Sequence, residues 1–199
     1  MKNNSFRTYQ KANKFRLSPG TIYCMICFVS GLILFLNDKL NVLDSANVFL
    51  KIVALASLAL IFYDIYKSYN KTEPLNGIIT GAFELFPDKI ILNNQIIFIT
   101  DVANLNINLT DYNGKRFDGL TNTWFPSLSN GFGNIVSIYL KTTEKIETHF
   151  EQKYEGEFVM KNKDILTSYH KNGKLSFHNL LDILEIEDYD EIQAFKNAL

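Results

Sequence analysis

The chain has 199 residues, with 20 Lys and Arg against 21 Asp and Glu and a formal net charge of -1. A general DNA or RNA binder needs a basic surplus to meet phosphates, so this balance excludes nucleic acid as the expected partner. Both cysteines, Cys24 and Cys27, fall in one apolar run, which leaves the rest of the chain without a disulfide or zinc framework, as expected of a cytoplasmic domain.

Residues 1–20 read as a basic cytoplasmic tail carrying Lys2, Arg7, Lys11, Lys14 and Arg16. Two apolar runs follow. Thr21 to Leu36 is uncharged and, at 1.5 Å per residue, reaches roughly 24 Å, a little short of a ~30 Å hydrocarbon core. Ala46 to Tyr63 carries one charge, Lys51, near its start, where a long stem snorkels to the interface. Burying two such runs in a soluble core would need an unusually large core, so they predict a transmembrane hairpin over 21–69 with spans at about 21–37 and 46–66. The rival reading is a cleaved signal peptide; the second run directly behind and the absence of a small-x-small site argue against it.

Basic residues are retained in the cytoplasm, and only Lys39 lies between the spans, while Lys67 and Lys71 follow the second. Both termini are therefore expected in the cytoplasm of a bacterial cell, with the hairpin in the inner membrane. The small residues Ala54, Ala56, Ser57 and Ala59 suit close helix packing in lipid, either within the hairpin or between copies. Cys24 and Cys27 form a Cys-x-x-Cys, but hydrocarbon denies the thiolate that redox or metal chemistry needs.

A linker at 70–76 leads to the domain expected over 77–199. Dense Ile, Phe and Val cut by Pro87-Asp88 and Asn93-Asn94 predict strands at about 78–86, 88–93, 95–100 and 102–110. Asp111-Tyr-Asn-Gly114 reads as a turn. The aperiodic stretch from Lys115 to Gly133 holds the only Trp, Trp124, with Phe117, Phe125 and Phe132, and either caps the sheet or frames a binding site. Strands resume at about 134–142 and 145–153. Phe158, Ile165, Leu166 and Tyr169 then share a helix face ended by Asn172-Gly173, Ser176 caps a short helix through Leu184, and Asp188 with Glu191 starts a last one. The alternative at 165–177 is a hairpin turning at Lys171-Asn-Gly-Lys174.

This order resembles bacterial pleckstrin-homology-like domains. The resemblance rests on Gly81-Ala-Phe-Glu-Leu-Phe-Pro-Asp-Lys-Ile-Ile-Leu92, Thr100-Asp-Val and Asp111-Tyr-Asn-Gly114, and covers roughly 77–153. It implies a bent antiparallel sheet with a C-terminal helix closing one end, serving binding or assembly rather than catalysis; the whole chain is then expected to be α+β, a two-helix membrane hairpin followed by an antiparallel domain closed by C-terminal helices. Three helical segments and the long 115–133 loop depart from that pattern. In layout alone the chain is also similar to two-span, β-rich antiphage effectors that sense a cyclic nucleotide and disrupt the membrane.

An enzyme needs a nucleophile, an acid/base pair or a metal cluster within reach. His149, His170 and His178 form no such motif, and the acidic run Asp182 to Glu191 reads as a solvated face with helix-start charges. No catalytic residue, cofactor or metal is expected. The candidate ligand-binding residues are Lys115, Arg116, Trp124, Ser129, Asn130 and Asn134, with Ser127 nearby, because basic, aromatic and amide groups hold a phosphate, stack a base or rest on a headgroup. The expected partners are the membrane, a protein or second copy, and a lipid headgroup or cyclic nucleotide. The leading expectation is a non-enzymatic, membrane-anchored binding or scaffold module; the alternative is the antiphage effector.

Overall fold

The computed structural model describes residues 4–12, 19–40, 47–69, 71–116 and 128–199. The chain is α+β and divides into two compact units, one of Met1–Ala12, Pro74–Lys115 and Ser129–Leu199, the other of Asn13–Glu73 and Arg116–Leu128.

The first unit is built on a seven-stranded antiparallel sheet. Its strands are β1 (Phe6–Lys11), β2 (Gly77–Leu85), β3 (Lys89–Leu92), β4 (Gln95–Phe98) and β5 (Val102–Asn108), then β8 (Asn134–Leu140) and β9 (Lys145–Phe150). They lie in the order β4-β3-β2-β1-β9-β8-β5, and a separate ribbon pairs β6 (Asn113–Arg116) with β7 (Leu128–Asn130). Strands β4 and β5 are consecutive yet occupy opposite edges, joined only by residues 99–101. The sheet must therefore roll until its edges approach at that corner, where Asp101 N–H donates to Phe98 O (3.0 Å) and Lys141 N–H to Asp101 O (2.9 Å).

One strand corrects the expected boundaries. The segment read as a cytoplasmic tail supplies β1, which lies inside the sheet: Phe6 pairs with Phe83 and Lys11 with Gly77 on one side, and Thr8 with Phe150 on the other. Alternation explains the fit. Phe6 and Thr8 are buried while Arg7 points out, the period-two pattern of a half-buried strand. The Phe6 ring joins Phe83, Phe150 and Phe158 in a cluster with centroids 5.1–6.1 Å apart. On the outer face Arg7 Nε donates to Glu151 Oε2 at 2.6 Å, and Glu151 is buried. At Gly77 an added Cβ would collide with Gln10 O and lie 2.7 Å from the Tyr9 ring, so only glycine allows the strand to lie this close.

Three helices follow β9: α3 (Glu157–Lys171), α4 (Phe177–Leu184) and α5 (Tyr189–Ala198). The choice at 165–177 falls to helix, with α3 closed by Asn172 and Gly173 at φ 68°. Ser176 Oγ then accepts from Asn179 N–H, and Asp188 Oδ1 from Asp190 and Glu191 N–H, as N-caps. Phe158, Leu166 and Tyr169 of α3 are fully buried in the core formed by the rolled sheet. Tyr169 Oη donates to Phe86 O at 2.6 Å. The outer edge of β5 is covered: Leu105 N–H donates to Lys174 O, and the Asn179 amide both accepts from Ile107 N–H (2.9 Å) and donates to Ile107 O (2.8 Å).

In the second unit, α1 (Pro19–Leu40) packs on α2 (Asn47–Ser68). Val48–Lys67 is long and apolar enough to cross a membrane, with mean hydropathy 2.1 and only 6% of its most apolar stretch buried, unlike the core helix of a soluble protein. In α1 the apolar stretch Thr21–Leu36 is shorter. Ser30 and Ser57 are buried between the helices, each hydroxyl bonded to a carbonyl of its own helix, and Cys27 Sγ lies 4.0 Å from Ala54 O. Ala54 and Ser57 thus belong to the hairpin contact, whereas Ala56 and Ala59 are exposed.

Phe6→Ala should cost about 3–5 kcal/mol, the range for emptying a packed aromatic site. Urea unfolding of the detergent-solubilised protein measures it; a loss below about 1 kcal/mol, the size of an ordinary surface change, would show that β1 is not integral to the domain. Burial holds the Tyr169 hydroxyl above its ordinary value, the nearby Asp88 charge adding to it. The unfolded chain ionises this tyrosine first, so its contribution is complete below pH ~10 and is lost as pH rises further. Tyr169→Phe should therefore flatten the alkaline limb of a stability profile.

Candidate binding surface

At one end of the rolled sheet the chain makes a buried polar knot. Asn134 Oδ1 accepts from Thr110 N–H (3.1 Å), Asp111 N–H (3.0 Å) and Gln152 Nε2 (3.1 Å), and its Nδ2 donates to Gly131 O (3.0 Å) and Phe150 O (3.2 Å). Asp111 Oδ2 accepts from Ser129 Oγ (2.6 Å) and Gly133 N–H (2.8 Å). Gln152 extends the network, donating to Asp111 O and accepting from Phe158 N–H in the first turn of α3. Gly131, at φ 80°, permits the crossing: an added Cβ would collide with Gln152 O and lie 2.6 Å from Asn113 N. Side-chain amides thus supply the hydrogen bonds that an irregular buried backbone would otherwise lack.

The expected ligand residues fall into different environments. Asn134 and Ser129 are 0% and 1% exposed, and their polar atoms are taken up by the protein itself. Asn130, half-buried, accepts from Phe132 N–H. Lys115 Nζ donates to Thr110 O at 2.6 Å, next to the Tyr112 ring. Arg116 stacks over Tyr69, 4.6 Å from its centroid, and donates to its hydroxyl at 3.1 Å. Asp111-Tyr-Asn-Gly114, read as a turn, does turn as the chain enters β6: Lys115 N–H donates to Tyr112 O at 3.0 Å, with Gly114 at φ 88°. Trp124, Ser127, Phe117 and Phe125 lie outside the described residues.

Above the knot lies a shallow cleft of about 50 Å³ lined by Thr110, Asp111, Lys115, Gln152, Glu155 and Glu185. Asp111 Oδ1 is buried and has no hydrogen-bond partner among the described residues. Sequence reasoning named only Lys115 of this set as a ligand residue; the others come from three separate segments and have no common motif. His149 packs edge-on to Tyr9, His170 Nδ1 lies 2.9 Å from Leu175 O, and His178 faces Asp182 at 3.7 Å. Among the described residues no three metal-ligating side chains converge. The cleft presents carboxylates, an amide and one lysine, with Leu109, Tyr112 and Val159 beside them: groups that bind polar or charged surface. No family model matches the chain, and no curated protein does.

Asn134→Ala would remove five hydrogen bonds and leave the Thr110 and Asp111 N–H groups without their acceptor, so it should destabilise the protein by more than about 2 kcal/mol, whereas Lys115→Ala, at a half-buried site with one hydrogen bond, should stay within about 1 kcal/mol. Thermal melts of both variants test this; equal effects would deny Asn134 its role as a hub.

Proposed function

We propose that the chain is a non-enzymatic, membrane-anchored binding module, a pleckstrin-homology-like partly open barrel carrying its membrane hairpin as an insertion between its first two strands. The observation that carries this reading is the closure of residues 12–76: Lys11 lies opposite Gly77, and Ala12 N–H donates to Asn76 O at 2.8 Å. An excursion that leaves and returns at one place on a folded domain crosses a bilayer an even number of times. If α2 crosses, a second crossing lies within the same excursion, and α1 is its other described helix.

The short apolar stretch of α1 then spans with little tilt. Both termini fall on one side, and the basic residues flanking the hairpin assign that side to the cytoplasm of a bacterial inner-membrane protein. The strand order supports the barrel reading: a seven-strand meander whose last strand closes on the first, open between β4 and β5, with a helix entering directly after the last strand. Leu, Ile and Val side chains with Phe6, Phe83, Phe150 and Phe158 fill the interior. Ligand or partner contacts therefore belong on the rim and outer surface, where the 110–115 and 152–156 segments meet.

The cyclic-nucleotide effector reading needs a pocket of about 300 Å³ or more, which the polar cleft of about 50 Å³ among the described residues does not by itself supply. Two measurements on the full chain test the proposal. In a Cys24→Ser, Cys27→Ser background, Ser5→Cys and Lys196→Cys should react with an impermeant maleimide only after spheroplasts are permeabilised, and Asn41→Cys before; opposite sidedness of the two ends would overturn the anchor. A saturable stability gain with a cyclic nucleotide, about 2.7 kcal/mol at a hundredfold excess over Kd, would replace the scaffold with the effector.

A further inference from the structure

The two edges of the sheet are treated unequally. The edge at β5 is covered by Lys174, Leu175 and the Asn179 amide. Among the described residues no strand or side chain covers the edge at β4. Ile99 N–H donates to Asp88 O, which makes that pair a closely bonded one; by alternation Ile90–Ile97 and Leu92–Gln95 are bonded too. Ile96 and Phe98 therefore aim their N–H and C=O groups away from β3. Among the described residues only Asp101 N–H reaches any of them, at Phe98 O. Their side chains are each 54% exposed.

We propose that this edge pairs with the same edge of a second copy in the membrane. An antiparallel β4–β4 register centred on Ile97 sets Ile96 of each copy against Phe98 of the other. Ile96 and Phe98 are the residues with outward backbone groups, so both pairs can exchange hydrogen bonds. On the outer face each pair joins an aromatic to a β-branched side chain, a favourable cross-strand combination, and it occurs twice by symmetry. Gln95–Phe98 carries no charge, so no like charges oppose each other within the paired strands, and no lysine or proline blocks the edge.

A four-residue strand buries far less than the roughly 1,200 Å² of a stable interface, so the pairing is weak in solution. Confinement in a bilayer supplies the effective concentration that the area does not. The inference rests on the anchored reading for this concentrating effect alone.

The test is energy transfer between donor- and acceptor-labelled full-length protein in proteoliposomes at rising surface density. Ile96→Lys adds a repelling charge, and Ile96→Pro removes the outward N–H while leaving the β3–β4 ladder bonds intact. Wild-type transfer should rise with density and fall about tenfold in both variants, with detergent melting temperatures unchanged. Ala56→Leu with Ala59→Leu, on the exposed helix face, should leave it intact. Flat wild-type transfer, variants equal to wild type, or loss only in the helix variant would overturn the pairing. Resistance to carbonate extraction checks the anchor separately. Should the protein strip from vesicles, the anchor fails, and sedimentation of the same variants at high concentration in detergent decides the edge.

Discussion

Everything in this fold depends on β1 being paired on both sides. Six residues, Phe6–Lys11, join β2 to β9, and without them the sheet would have two more raw edges and an open core. The strand is held by three different forces. Phe6 enters the aromatic cluster, Arg7 meets the buried Glu151 carboxylate, and Thr8 is fully buried with its hydroxyl on Asn93. Because β9 is the last strand made, β1 emerges first yet waits for nearly the whole domain before its pairing is complete. Such non-local contacts are slow to form, and both helices are synthesised during the wait.

That constraint also governs how the insertion can be tolerated. Closing a loop costs entropy that grows only logarithmically with its length, so an insertion as long as residues 12–76 adds little beyond a short one if it packs on itself. The helices do so, through Ser30, Ala54 and Ser57. What fixes the insertion point is local: Gly77 admits the close crossing of Tyr9 and Gln10, and the 2.8 Å bond from Ala12 to Asn76 closes the mouth.

Much of this was legible in the sequence because it is encoded locally. The apolar runs, the strands from 77 to 150 cut by Asn93-Asn94, and the caps Ser176 and Asp188 each carry their signal within a few residues. β1 was not legible. Its alternation covers only Phe6 to Thr8 before the register shifts at Tyr9, inside a basic tail, and its stabilisation comes from partners such as Phe83 and Phe150, far along the chain. The candidate binding residues are a different case: Lys115 lines the cleft, whereas Ser129 and Asn134 are buried. Ser129 and Asn134 have the composition of a recognition loop, but an amide that would hold a ligand is chemically the same as one that holds a backbone, and burial decides between them. Asp111 and Gln152 gave no signal because their roles exist only once four segments converge.

The unequal edges follow from the same architecture. A rolled sheet that stays open must end in two unpaired strands, and an unprotected edge is an aggregation hazard for a freely diffusing protein. β5 is protected at a cost in sequence: Asn179 must sit at one position of α4 and Lys174 just before it. Among the described residues no comparable device meets β4. A protein held by a bilayer would meet other copies only with its membrane normal aligned to theirs, which removes many of the wrong encounters that edge protection exists to prevent. The bare, neutral, four-residue edge is thus compatible with an anchored domain in a way that it would not be with a soluble one. The shortness of β4 limits even correct encounters to a contact that lateral crowding can make and dilution can undo.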